Sequence, residues 1–265
     1  MWWKHNKWRV IVPVLLLALA AFLFWYGGGA PGLQGWRVEK TEKPGSALDE
    51  RPGGADGTLS VEEKLAAAAE MAGDVQTEQG DADWSARQGM VLDPKTGLDQ
   101  YGTGAVPKGR PAPVEPQNAE ITDDAYTCTI SISCATILDN MDWLDPEKVE
   151  LVPEDGWILR PTEVTFYAGE SVFNVLLRTC KQQGIHMEFV NTPMYNSAYI
   201  EGIHNLYEFD CGQLSGWIYK VNGWSPNYGC SRYALKNGDV IEWQYTCNLG
   251  ISKSPLFIYI ICNSA

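Results

Sequence analysis

The sequence predicts an α+β domain of β-grasp-like layout: a small mixed or antiparallel sheet with one main helix, preceded by an N-terminal transmembrane helix and a disordered linker. Three observations predict it. Apolar and polar residues alternate at period two in several short runs, which is the pattern of strands with one buried face. One stretch repeats its apolar residues at helical spacing, between a capping residue and a glycine stop. Two Asn-Gly dipeptides punctuate the later runs, and Asn-Gly favours the positive φ that a tight hairpin turn requires.

The elements follow in order along the chain. In residues 127–134, Cys128, Ile130, Ile132 and Cys134 share one face, and Thr127, Thr129, Ser131 and Ser133 the other. In residues 163–168, Val164, Phe166 and Ala168 alternate with polar or half-polar neighbours. Residues 171–183 read as the helix. Ser171 caps it, Val172, Leu176 and Cys180 recur at i, i+4 and i+8, Lys181 lies in the last turn and Gly184 ends it. A strand then runs through 186–190. Asn222-Gly223 joins 217–221 to Trp224. Asn237-Gly238 joins 231–235 to 240–247, where Ile241, Trp243, Tyr245 and Cys247 form one face. One helix on one sheet is a stable two-layer arrangement, and about 130 residues suffice for one core.

The N-terminus fixes the compartment. Lys4, Lys7 and Arg9 precede an uncharged run, residues 10–26, flanked by Trp2, Trp3 and Trp8 on one side and Trp25 and Tyr26 on the other. A span needs about 17–25 apolar residues, so the run is just long enough. Aromatic belts and positive charge on the N-terminal side predict an uncleaved anchor with the N-terminus cytoplasmic and the rest of the chain extracellular. A cleaved signal peptide is the competing reading, disfavoured by Pro31 just past the small residues 27–30.

Residues 27–117 are rich in Gly, Pro, Asp and Glu and poor in large apolar groups, a composition that predicts a disordered linker. A short helix is expected at 60–71, where Ser60 and Glu63 make a capping-box pattern before an alanine run. A flexible coil of about 90 residues reaches roughly 50–60 Å. The expected organisation is therefore anchor 1–26, linker 27–117, β-rich domain 118–250 and a divergent tail 251–265. That tail carries an apolar run, 255–262, too short to span a membrane.

Charge and cysteine usage exclude several classes of function. The chain carries 33 acidic against 20 basic residues, a net charge of −13. No Lys/Arg cluster occurs beyond Arg9, which argues against a nucleic-acid partner. All seven cysteines, Cys128, Cys134, Cys180, Cys211, Cys230, Cys247 and Cys262, lie beyond residue 127 and none forms a CxxC pair, so the common zinc and thioredoxin spacings are absent. Outside the cytoplasm they read as structural disulfides. Cys211 and Cys230 flank the 217–224 hairpin and are a candidate bridge; Cys262 is the candidate unpaired thiol.

Three stretches carry a resemblance. They are GESVFNVLLRTCKQQGIHMEF, YIEGIHNLYEFDCGQLSGWIYKVNGW and SRYALKNGDVIEWQYTC. Their marks are Gly169, Ser171 and Val172 at the helix start, Tyr199-Ile200, Trp217/Tyr219/Val221/Asn222/Gly223, and Gly238-Asp239 with Ile241. Over about residues 120–248 the chain resembles a bacterial family of transcobalamin-like C-terminal domains of unknown function, related to the C-terminal β-domain of transcobalamin and intrinsic factor. The resemblance implies a corrinoid ligand. In those relatives the corrinoid sits between this domain and a helical barrel, and no stretch of this sequence reads as such a barrel.

The candidate ligand-binding residues are Tyr195, Tyr199, Tyr207, Trp217, Trp224 and Tyr228, part of an aromatic set that also holds Phe209. Flat rings with a polar handle suit planar ligands and interfaces alike. Trp217 and Tyr219 share a strand face and are expected in the core. Trp224 and Tyr228, in a Gly/Pro/Asn loop, are expected exposed. His186 and His204 lack a Gly-x-Ser-x-Gly elbow or an HEXXH motif, so no catalytic role is assigned. Glu201, Glu208 and Asp210 show no spacing that fixes a pair of acid/base carboxylates. No calcium-loop pattern is present, and neither metal nor cofactor is expected. Two functions fit: a membrane-anchored, non-catalytic ligand-binding module for a corrinoid, or a surface adhesion module binding a protein or cell-wall polymer.

Overall fold

The computed structural model describes residues 78–248. The expected anchor 1–26, the alanine-rich stretch 60–71 and the tail 251–265 with Cys262 lie outside them. Among the described residues no helix is long and apolar enough to cross a membrane.

The described chain is α+β, with its strands in two sheets rather than the single sheet expected. Strand β1 (Ala125–Ser133) pairs antiparallel with β2 (Trp157–Tyr167) and parallel with the last strand, β7 (Val240–Thr246), which pairs antiparallel with β6 (Gly216–Val221). The sheet order is therefore β2-β1-β7-β6. A second, antiparallel sheet holds β3 (Met187–Thr192), β4 (Ser197–Ile203) and β5 (Leu206–Tyr207) in that order.

Alternation explains the first sheet. Cys128, Ile130 and Ile132 of β1 are buried with Ile241, Trp243 and Tyr245 of β7, and both strands are flanked on two sides. They join one core with Val172, Val175, Leu176 and Cys180 of the main helix. Two short helices come before that one, α1 (Ala82–Arg87) and α2 (Ala135–Leu138); the main helix is α3 (Val172–Gln183). The Ser171 hydroxyl accepts from the Asn174 backbone N–H and the Asn174 side chain accepts from the Ser171 N–H, a reciprocal cap that fixes where α3 begins.

The two Asn-Gly turns have different outcomes. Asn222 and Gly223 both adopt positive φ (51° and 74°), and the Val221 and Trp224 backbones bond to each other across them. At the second, residues 231–235 do not form the expected hairpin arm. They begin in a 3₁₀ turn, Cys230–Arg232, and the Asn237 side chain instead accepts from the Thr127 N–H. The parallel partner β1 occupies the edge of β7 that a hairpin arm would have used.

Residues 78–117 depart from the expected disordered linker. They fold back as a strap over the domain. Asp81 caps α1 through the Trp84 N–H, and the Trp84 indole donates to the Arg110 carbonyl at 2.8 Å. The strap is held by Arg232, whose guanidinium is 1% exposed. It donates to Asp99 Oδ2 at 2.7 Å, Glu115 Oε1 at 3.0 Å and Thr103 Oγ1 at 2.8 Å, and lies 4.8 Å from the Tyr101 ring centroid. Five donors in a planar fork suit such a multi-partner site, which Lys could not reproduce. Composition misjudged the strap because its few apolar groups, Val106 and Met90 among them, are supplemented by charge and hydrogen bonding at long sequence separation.

Removing one partner of a buried ion pair leaves the others desolvated and costs about 3–5 kcal/mol. Arg232→Met is therefore expected to lower stability by about that amount in urea unfolding and to expose residues 78–117 to protease. Arg160→Ala removes an exposed pair with Asp155 and is expected to cost less than about 1 kcal/mol. Equal effects of the two substitutions would contradict the assignment.

Candidate functional site

The six aromatic candidates fall in three places. Trp224 and Tyr228 are buried (8% and 2% exposed), contrary to the expectation that their loop exposes them. The strap covers them. Arg110 sits 5.4 Å from the Trp224 ring centroid, the Tyr228 hydroxyl donates to the Pro111 carbonyl at 2.8 Å, and the Asn227 amide donates to the Gly104 carbonyl at 3.0 Å. Trp224 meets Tyr228 edge-on at 6.0 Å and Tyr228 stacks on Tyr233 at 6.1 Å. The Tyr219 hydroxyl donates to the Tyr228 carbonyl. The loop's Gly, Pro and Asn residues thus shape a surface that receives another segment of the same chain.

Trp217 is in the core as expected. Its ring meets Tyr245 edge-on at 5.3 Å and its indole N–H donates to the Leu206 carbonyl at 2.8 Å. Tyr195 is also buried, in the 3₁₀ turn between β3 and β4.

Tyr199 and Tyr207 belong to the small sheet and are half-buried. The Tyr199 hydroxyl donates to the Glu208 carboxylate. Burial, and then the Glu208 charge, pushes this phenol well above its ordinary range. Tyr207 lies against Gly202, where an added Cβ would come within 2.7 Å of the ring. Lys148 Nζ sits 4.8 Å from its centroid, and Glu188 lies near the Tyr207 hydroxyl. The His186 ring is 6.4 Å away, with Nε2 3.3 Å from Glu188. Asp210 accepts from the Tyr207 N–H at 2.7 Å and faces Lys148 at 3.8 Å. Glu188, Glu201, Glu208 and Asp210 gather around these tyrosines, while His204 and Asn205 make the positive-φ turn between β4 and β5. Among the described residues no cluster of three or more His, Cys, Asp or Glu side chains could hold a metal ion.

The structure thus groups Trp224 with Tyr228, and Tyr199 with Tyr207, in separate surroundings. Sequence reasoning missed Arg232, Asp99, Glu115 and Lys148. Their partners lie 57 to 133 residues away, and no local pattern announces them.

The candidate bridge Cys211–Cys230 is not formed. All six described cysteines are free and buried. Burial raises Cys128 and Cys134 to about 11 and Cys180 and Cys230 to about 12, which makes these thiols poor nucleophiles. Cys211 faces Cys247 instead.

Residues 169–247 match the family model of a domain of unknown function, DUF4430. The match spans α3 to β7 and includes every candidate ring. Several solved structures are similar to this chain, among them the following two. Haptocorrin in complex with Cbi is 17% identical, with a TM-score of 0.33 over 47% of this chain and 26% of that one. A candidate metal-binding protein from Ruminococcus gnavus ATCC 29149 is 14% identical, with a TM-score of 0.27 over 46% of this chain and 96% of that one. The chain thus spans about a quarter of the haptocorrin chain. No curated protein sequence matches it.

Tyr219, Tyr228 and Tyr245 are fully enclosed, and burial holds each phenol well above its ordinary value. The folded state therefore keeps protons that the unfolded chain releases near pH 10. Stability is expected to be unaffected by these groups below about pH 9 and to fall as pH rises beyond 10, with their ultraviolet ionisation appearing only on unfolding. Ionisation of all twelve tyrosines in the ordinary range, with the fold retained, would contradict the burial.

Proposed function

We propose that this chain is a membrane-anchored, non-catalytic binding module whose C-terminal domain works outside the cytoplasm and contacts a protein or cell-wall polymer. The anchor reading rests on the uncharged run 10–26 with its flanking cations and aromatic belts. The observation that carries the partner reading is that the candidate rings are engaged by the chain itself. Trp224 and Tyr228 lie under the strap, Trp217 packs on Tyr245, and Tyr207 is flanked by Gly202 and Lys148. A flat ligand has little bare ring to stack on. The small sheet instead offers Glu188, Glu201, Glu208, His186 and Lys148 around two half-buried tyrosines, a polar rim suited to hydrogen bonding with a macromolecular partner.

A second reading is a corrinoid ligand, favoured by the motifs at 169–172, 199–200, 217–223 and 238–241 that resemble transcobalamin-like domains. On that reading the strap must leave before Trp224 and Tyr228 can take part.

The test is co-sedimentation of the full chain, in detergent micelles, with insoluble cell-wall polymer, beside calorimetric titration with cobinamide. Retention on the polymer is expected, weakened about tenfold by Glu188→Lys with unchanged melting, the worth of about 1.4 kcal/mol. Cobinamide is expected to give no heat. Micromolar cobinamide binding lost in Trp224→Ala, with no retention on polymer, would replace the first reading by the second. Deleting residues 1–26 is expected to move the chain from the membrane to the soluble fraction; retention at the membrane would contradict the anchor.

A further inference from the structure

Cys211 and Cys247 are brought together by a loop and a strand end that have no sequence proximity. Tyr245 and Cys247 share one face of the last strand and its continuation. The Tyr245 hydroxyl bonds to the Tyr207 carbonyl at 2.8 Å and to Ser215 Oγ at 3.0 Å, so the 207–215 loop lies on that face. Within the loop the Ser215 hydroxyl accepts from the Cys211 N–H at 3.1 Å and donates to the Gly212 carbonyl at 2.8 Å. This turns Cys211 back toward the strand end, where Gly216 is already paired with Thr246. Both thiols are buried at this junction and lie near each other. Cys247 has a further neighbour, Thr136, whose carbonyl lies 3.8 Å and hydroxyl 3.9 Å from Sγ.

We propose that Cys211 and Cys247 form a disulfide when the chain meets a small-molecule disulfide oxidant. Either cysteine can supply the first thiolate, and the steps balance equally in both orders. With Cys247 first, it displaces one thiolate from the oxidant and forms a mixed disulfide. Cys211 then loses its proton, attacks Cys247 Sγ and expels the second thiolate. Two protein thiols become one S–S bond, and the oxidant R–S–S–R leaves as two R–SH. The bridge clamps the start of β6 to the end of β7 and ties down the Asp210 loop, which accepts from the Tyr207 and Asp145 N–H groups. The inference does not depend on the proposed partner, because the oxidant is supplied in the test.

Trypsin separates the relevant cysteines. Cleavage after Lys and Arg leaves Cys211 in 182–220, Cys230 in 221–232, Cys247 in 237–253 and Cys262 in 254–265. The full chain in detergent is reduced, exchanged into oxidised glutathione, alkylated and digested without reductant. Mass spectrometry is expected to show 182–220 joined to 237–253. Oxidation is expected to raise the melting temperature by about 5–10 °C, an effect absent from Cys247→Ser. Cys211 joined to any other cysteine overturns the proposal. So does alkylation of both cysteines in a chain shown by circular dichroism to be folded, or an oxidation-dependent rise that persists in Cys247→Ser.

Discussion

The arrangement depends on one buried cation. Arg232 lies between the C-terminal domain and residues that composition assigns to a spacer, and its two terminal nitrogens donate to Asp99, Glu115 and Thr103. A charge that deep is tolerated only when it is paired and hydrogen-bonded. The requirement runs both ways. Without the strap, Arg232 would need water or another acid, and without Arg232 the carboxylate of Asp99 would keep only the bonds its Oδ1 accepts from the Tyr101 and Thr103 N–H groups. Among the described residues, 78–117 therefore pack with the C-terminal domain.

That constraint decides what the aromatic residues do. Trp224, Tyr228, Tyr233 and Tyr219 form a contiguous cluster of edge-on, tilted and stacked rings, the residue types expected of a ligand-stacking surface. The chain occupies it with its own Arg110, Pro111 and Gly104. What is left at the surface is the acidic edge of the β3–β5 sheet, organised by Tyr207, Lys148 and Asp210. A resemblance in motif therefore need not carry a resemblance in ligand. The residues that make the motif, Trp217, Tyr219 and Asn222-Gly223, serve here to build the β6–β7 pair and its turn.

How much was legible follows from the range of each interaction. Period-two alternation located β1, the end of β2 and β7, the Asn222-Gly223 turn located β6, and the Ser171 cap with Gly184 located α3 to within a residue, because those signals are local. β2 begins at Trp157, six residues before the alternating run that starts at Glu163. Pro161 is accommodated because β2 is an edge strand, needing a partner on one side only. The hairpin expected at Asn237-Gly238 failed because a turn signal says nothing about which strand claims the open edge, and β1 claims it from over a hundred residues away. The site was least legible. Burial of Trp224 and Tyr228 depends on a segment of low apolar content, and the approach of Cys211 to Cys247 depends on the fold of a loop that no spacing encodes.

Hydrogen–deuterium exchange of the full chain tests the central claim most directly. The backbone N–H of Asp81 bonds to Val106, that of Val106 to Ser85, and that of Val114 to Arg232. If the strap is part of the folded unit, these amides exchange on the timescale of the β1 and β7 amides and slow with them as stability rises. If they exchange as fast as free chain while β1 and β7 remain protected, residues 78–117 are the spacer their composition suggests. The aromatic cluster would then be open to a ligand after all.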